Sequence, residues 1–406
     1  MHFGALIKHH RIQKKMTQKE LASGICSIPH LSKIENNSKE VNEETLKLLL
    51  QKLGVQPDEM AVREEKIGHL IAELNEKMTY YLKDEAKQCM EELRKLEDIA
   101  VFSSFLYPFE LVRLRFLIYA GNLCEAKEQQ EILEKQTNNF SQQQLAFFQY
   151  LKSIYLLKKG FFKKGDSILE SLAAERNHGL DSGELYYHLA MAKTSLEQSV
   201  YAIHYGILAL QSFAANHNFI RILHVQMLLG INYTHVRNYN EAMNCLQHAV
   251  RNAGLLNDQP IKAQIYHNLG YLQEKMGNPE LALSSLHKSL SLQEKGCEHY
   301  LITLYTVGEI HYSQQDYISA KRCFLEVASI AKVLAKRKYQ ILATYYLLAI
   351  ETPEKSFSYL ETKVIPVVEE CQSHMDDLKK FYKLLSNHYK KMGKVEKAVI
   401  YLEKIS

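Results

Sequence analysis

The chain has 406 residues, with 50 Lys and Arg against 46 Asp and Glu, 46% hydrophobic residues and only 7 Pro. That composition can bury a core and excludes collagen-like, low-complexity and disordered chains, and the length suits two to three domains. No apolar run approaches the ~18 residues that span a bilayer, and the opening stretch is too short for a signal peptide, so a cytoplasmic protein without a membrane partner is expected.

The charge is uneven. Residues 1–35 carry Lys8, Arg11, Lys14, Lys15, Lys19 and Lys33 against Glu20 and Glu35, a surplus equal to the +4 of the whole chain. A small basic head on a neutral body points to a polyanion-binding end.

In the head, Phe3, Leu6, Ile7 and Ile12 mark one helical stripe over residues 3–15, broken at Met16. Thr17 and Glu20 have the spacing of a capping box, which starts a second helix carrying Leu21, Ala22 and Ile25. Gly24 falls where a tight turn between helices is needed, and Ser27 can cap a third helix that tolerates Pro29 in its first turn. Leu31, Ile34, Leu46, Leu49, Leu50 and Leu53 supply the rest of a core, and Gly54 stops the last helix.

The body, residues 61–406, repeats. Small residues recur at Ala86, Ala126, Gly165, Ala202, Ala242, Ala282, Ala320 and Ala398, at steps of about 39 residues or twice that. Twelve positions before each lies an apolar or small residue: Leu74, Leu114, Ser153, Ala190, Gly230, Gly270, Gly308 and Ser386. A ninth unit without the small residue fits near Leu347–Phe357. Small residues at matched positions let two helices approach closely, and stacked pairs bury faces that no pair buries alone. The expected fold class is all-α: a helix-turn-helix domain over residues 1–60, then a right-handed superhelix of about nine helix pairs over 61–406. Seven scattered cysteines without a CxxC read as buried, reduced thiols rather than a zinc cage.

Thr17-Gln18-Lys19-Glu20-Leu21-Ala22, Ile25-Cys26, Leu31 to Asn36 and Leu46 to Val55 resemble the phage-repressor type of helix-turn-helix. That resemblance implies a third helix lying in the major groove of operator DNA. Ser27, Ile28, His30 and Lys33 would face the groove. Gln18 and Ser32 would touch bases or backbone, and Thr17 would sit near a phosphate. The third helix is poor in Arg, Asn and Gln, the usual bidentate base readers.

Tyr266 to Gly270, Lys275 to Ala282, Leu286 and Leu290 are similar to the tetratricopeptide repeat. Counted from the small positions, the inner helices offer Arg115, Tyr187, His224, Met227, His267, Asn268, Tyr271, Glu274, Tyr305, Glu309 and Asn387 to a concave groove. Aromatic, Met and charged groups of both signs suit an extended peptide, and an Asn amide can hold a peptide backbone whatever its side chains.

Head and body together resemble the peptide-pheromone-sensing regulators of Gram-positive bacteria, the Rap, Rgg, NprR, PlcR and PrgX group, and most of all the NprR-like branch. The resemblance implies a homodimeric quorum-sensing regulator that binds operator DNA and is switched by a short linear signalling peptide. Asn268 and Asn387 would grip the peptide backbone, and Arg115 or Arg113 would meet a peptide carboxylate. A Rap-like role, sequestering a phosphorelay response regulator under peptide control, is the alternative. No HExxH, phosphate loop or GxSxG is present, so neither enzymatic activity nor a metal or other cofactor is expected.

Overall fold

A computed structural model describes residues 3–36, 42–54, 57–175, 179–256, 258–370 and 375–405. Val55, Cys371 and the side chain of Phe3 lie outside the described residues. Among the described residues the chain is helical without a strand, and no helix is long and apolar enough to cross a membrane.

Four helices build the head: α1 (Phe3–Gln13), α2 (Gln18–Ala22), α3 (Ile28–Glu35) and α4 (Glu43–Lys52). The capping box forms as spelled. The Thr17 hydroxyl accepts the Glu20 amide at 3.2 Å, and the Glu20 carboxylate accepts the Thr17 amide at 2.7 Å. Ser27 accepts the His30 amide at 3.3 Å, which starts α3 with Pro29 in its first turn. Gly24 takes φ +80° between α2 and α3, a conformation that a side chain would resist. Leu6, Ile7, Leu21, Ala22, Leu31, Ile34, Leu49, Leu50 and Leu53 close the core. Ile12 does not join them and is 57% exposed. It lies five residues beyond Ile7, about 140° around the helix, off the stripe.

The remaining helices follow in pairs. They are α5 (Pro57–Thr79) with α6 (Lys83–Arg94), the short α7 (Glu97–Ala100), α8 (Leu106–Ala120) with α9 (Leu123–Glu134), and α10 (Gln142–Lys158) followed by α11 (Phe162–Ala174). Then come α12 (Ser182–Ser195) with α13 (Ser199–Ala215), α14 (Phe219–His235) with α15 (Tyr239–Leu256), α16 (Gln259–Lys275) with α17 (Pro279–Ser291), and α18 (Glu298–Ser313) with α19 (Tyr317–Val333). Last are α20 (Arg337–Glu351) with α21 (Pro353–Tyr359) and α22 (Ile365–Glu370), and α23 (Met375–Lys391) with α24 (Val395–Glu403). Two compact units share this chain, Met1–Tyr155 with Ala174–Leu180, and Leu156–Ala173 with Asp181–Ser406.

Every small position of the sequence repeat is buried. Ala86, Ala126, Ala202, Ala242, Ala282 and Ala320 are fully enclosed, as are Leu74, Leu114, Ser153 and Ala190 twelve residues upstream of their own small partners. Within the second unit consecutive helices pack on one another, and the first helices also touch in turn, α12 with α14, α14 with α16 and α16 with α18. The unit without the repeated alanine or glycine is built differently. Only Thr352 separates α20 from α21, and residues Leu360–Val364 form a π turn before α22. Pro366 explains that turn: its ring has no N–H and clashes with the carbonyl four residues back, so the helix widens just before it.

Of the cysteines, the six described are unpaired. Cys89 and Cys323 are buried, whereas Cys124 is exposed, contrary to the expectation of buried thiols throughout.

Candidate functional site

The head presents one face of α3. Ser27, Ile28 and Lys33 are exposed on it, with His30 and Ser32 half-buried beside them. Exposed Thr17, at the start of α2, and the exposed Lys14, Lys15 and Lys19 add to the basic rim. The Ser27 and Thr17 hydroxyls already serve as helix caps. Lys52 of α4 donates to the Ser23 carbonyl at 2.6 Å and closes the turn that aims α3.

Beneath that face lies a group that composition could not reveal. Glu35 is 3% exposed. Arg11 of α1 donates to its two oxygens at 2.6 and 3.0 Å, and Gln18 of α2 donates to it at 2.8 Å. Gln18, expected to reach DNA, thus also ties α2 to α3 through its amide. Burial pushes the Glu35 carboxyl up, but the hydrogen bonds from Arg11 and Gln18 and the charges of Arg11 and Lys8 outweigh it, leaving it below the ordinary 4.5. A carboxylate held down in the fold stabilises above its unfolded value and loses that contribution as pH falls through the folded one. Acid titration followed by hydrogen exchange of α1 and α3 is therefore expected to show head protection falling below pH 4.5. Glu35→Gln is expected to remove that dependence and to cost about 1.5–3 kcal/mol at neutral pH.

In the body, most residues expected to face a groove instead connect one first helix to the next. Tyr187 of α12 lies under the Arg221 guanidinium at 4.8 Å, and its ring is 6.3 Å from that of His224 on α14. Tyr271 of α16 meets the edge of His235 of α14 at 6.2 Å, and Glu274 lies 3.4 Å from Lys275. His267 Nδ1 is 3.1 Å from the Thr303 hydroxyl of α18, and burial, helped by His299, holds this histidine down at about 4. Glu309 of α18 accepts from Tyr346 of α20 at 2.6 Å and from Lys380 of α23 at 2.8 Å. Lys380 also donates to the Tyr346 oxygen at 2.9 Å.

Other expectations are corrected outright. Met227 and Tyr305 are buried in hydrophobic clusters, because helix-to-helix packing claims their apolar surface. In the first unit Arg115 is spent on α5, donating to the Asn75 side chain at 2.6 Å and to the Thr79 hydroxyl at 2.9 Å. Two expected groups keep their amides available. Asn268 is half-buried, Asn387 is exposed, and among the described residues no hydrogen bond engages either side chain.

Charge pairs that the sequence did not disclose join α12 to α14 and to α11. Arg221 Nε donates to Glu184 at 2.6 Å with a second bond from Nη2, and both residues are 4% exposed. His188 takes the Glu184 carbonyl at 2.8 Å, and burial holds it down at about 4. Lys193 donates to Asp166 at 2.8 Å and to Glu170 at 2.5 Å.

Known proteins share this arrangement. A helix-turn-helix family model matches residues 7–60, and a tetratricopeptide-repeat model matches residues 221–295. The transcriptional activator NprA of Geobacillus stearothermophilus is 25% identical over 397 residues, which cover 93% of this chain and 96% of NprA. This chain is similar to the NprR and Rap group of regulators. Two solved members of the group have its fold. A Rap protein complexed with competence and sporulation factor superposes with a TM-score of 0.71 at 16% identity, covering 84% of this chain and 97% of that one. NprR in complex with its cognate peptide NprX gives 0.68 at 22% identity, covering 84% of this chain and 98% of that one.

Proposed function

We propose that this member of the group is a transcription regulator that holds operator DNA with α3 and is switched by a short linear peptide taken up along the first helices of the repeats. The observation that carries this reading is the exposed face of α3 with Lys33 on it and Lys14, Lys15 and Lys19 on the rim, in a helix-turn-helix of a chain related along nearly its whole length to a transcriptional activator. Asn268 and Asn387 are the residues assigned to the peptide backbone, with Tyr271, Glu274 and His224 also assigned to the groove. A peptide switches the protein only by favouring one arrangement of the repeats over another, and coupling of about 1–3 kcal/mol is usual for such pairs of sites. Two copies on a two-fold operator would place their heads about 34–36 Å apart.

Retention of genomic DNA fragments at several salt concentrations tests the DNA half. Selective retention with a steep salt dependence supports it. No preferred fragment, with or without peptide, sinks it and leaves sequestration of a response regulator as the reading to pursue. Lys33→Ala and His30→Ala are expected to weaken fragment binding while the calorimetric affinity for peptide stays unchanged. Asn268→Ala is expected to do the reverse, weakening peptide by about 1–3 kcal/mol because the amides it served lose their partners.

A further inference from the structure

The core of the head is not made by the head alone. Ile99 and Phe102, on the segment after α6, pack against its buried leucines, and the His9 ring of α1 lies 5.1 Å from that of Phe102. Ile99 also belongs to the cluster that α5, α6 and α8 share. The same segment is pinned on its far side. The Ser104 amide and hydroxyl both donate to Glu64 of α5 at 3.0 Å. Phe105 fills the space over Gly68, where an added Cβ would come within 2.7 Å of the ring. Arg113 of α8 donates to Glu97 at 3.1 Å. Between these anchors Val101 is 43% exposed.

A four-helix head of this size has a small core, so apolar area supplied from outside is a large share of what holds it. Close-packed side chains pass displacement on rather than absorb it. We infer that residues 97–105 form a hook that fixes the head on the first hairpins and transmits movement of α8 to α3. Ile99 is the shared tooth, in contact with both cores. Phe102 is the tooth on the head side, and Arg113 with Glu97 ties the hook to α8. The hook deepens the reading of α3 as the DNA-binding helix. Its test needs no DNA, so the two can fail separately.

Hydrogen exchange with mass spectrometry on the full chain decides it. In Phe102→Ala and Ile99→Ala, amides of α1, α3 and α4 are expected to exchange about tenfold faster while α14 to α17 keep their wild-type rates. Val101→Ala is the control and should change nothing. Arg113→Met cuts the tie to α8 without touching the head, and it too should speed exchange in α1 and α3. Unchanged head exchange in Phe102→Ala and Ile99→Ala overturns the inference. An equal acceleration in α14 to α17 overturns it as well, since the residues would then be general ballast. A response to Phe102→Ala but not to Arg113→Met overturns the transmission from α8.

Discussion

Replacing Glu184 with Ala is expected to cost the second unit about 3–5 kcal/mol, the effect of stranding one partner of a buried ion pair. Arg221 would remain, 4% exposed, with both of its bonds to the Glu184 carboxylate gone, against the Tyr187 and Phe213 rings. Water cannot reach the guanidinium without parting α12 from α14. His188 cannot take over, since its imidazole is already turned onto the Glu184 carbonyl and is held neutral by burial. Replacing both partners, Glu184→Leu with Arg221→Met, is expected to restore most of the loss, because two desolvation penalties leave with the charges. Urea unfolding of the three variants measures this. A single variant within 1 kcal/mol of wild type would show that the pair is not sealed from solvent.

Gly270→Val is expected to cost about 3 kcal/mol or more through overpacking. A Cβ at this position of α16 would stand 2.7 Å from Leu286 Cγ and 3.1 Å from the Ala282 carbonyl of α17. The leucine could swing, but the carbonyl is backbone, so the helices themselves must separate. Gly270→Ala is the sharper comparison. Alanine favours a helix over glycine by about 1 kcal/mol, and the clash opposes that gain. Net destabilisation by thermal melting is expected, with Leu286→Ala in the same chain recovering part of it. Net stabilisation would mean that α16 and α17 are less tightly seated than their spacing shows.

Much of this architecture was legible because its signals are local. Thr17 with Glu20, Gly24 and Ser27 write helix starts and a turn within a few residues of one another, and each formed as written. The alanines and glycines of the repeats were legible because helices that approach closely admit nothing larger, so the spacing of small residues is the spacing of contacts. Where that rule is not used the pattern disappears. The pair α20 and α21 buries Ser356 rather than an alanine or glycine and is prolonged past a π turn, so the alanine and glycine spacing does not mark it. The candidate site was less legible for a different reason. Periodicity says which face of a helix a residue occupies but not what meets it there. Arg115 finds Thr79 36 residues earlier, and Glu309 finds Lys380 71 residues later, so groups that look available in sequence are already engaged. Among the described residues no hydrogen bond engages the side chains of Asn268 and Asn387.

The bond between Glu309 and Lys380 passes over α20 to connect α18 with α23. Stacked repeats ordinarily feel only their immediate neighbours, so such arrays fray one unit at a time from an end. A tether that skips a unit changes that statistics. The last pair cannot peel away without pulling on α18, and the stretch from α18 to α23 opens as one cooperative block, with the Tyr346 hydroxyl as its common knot.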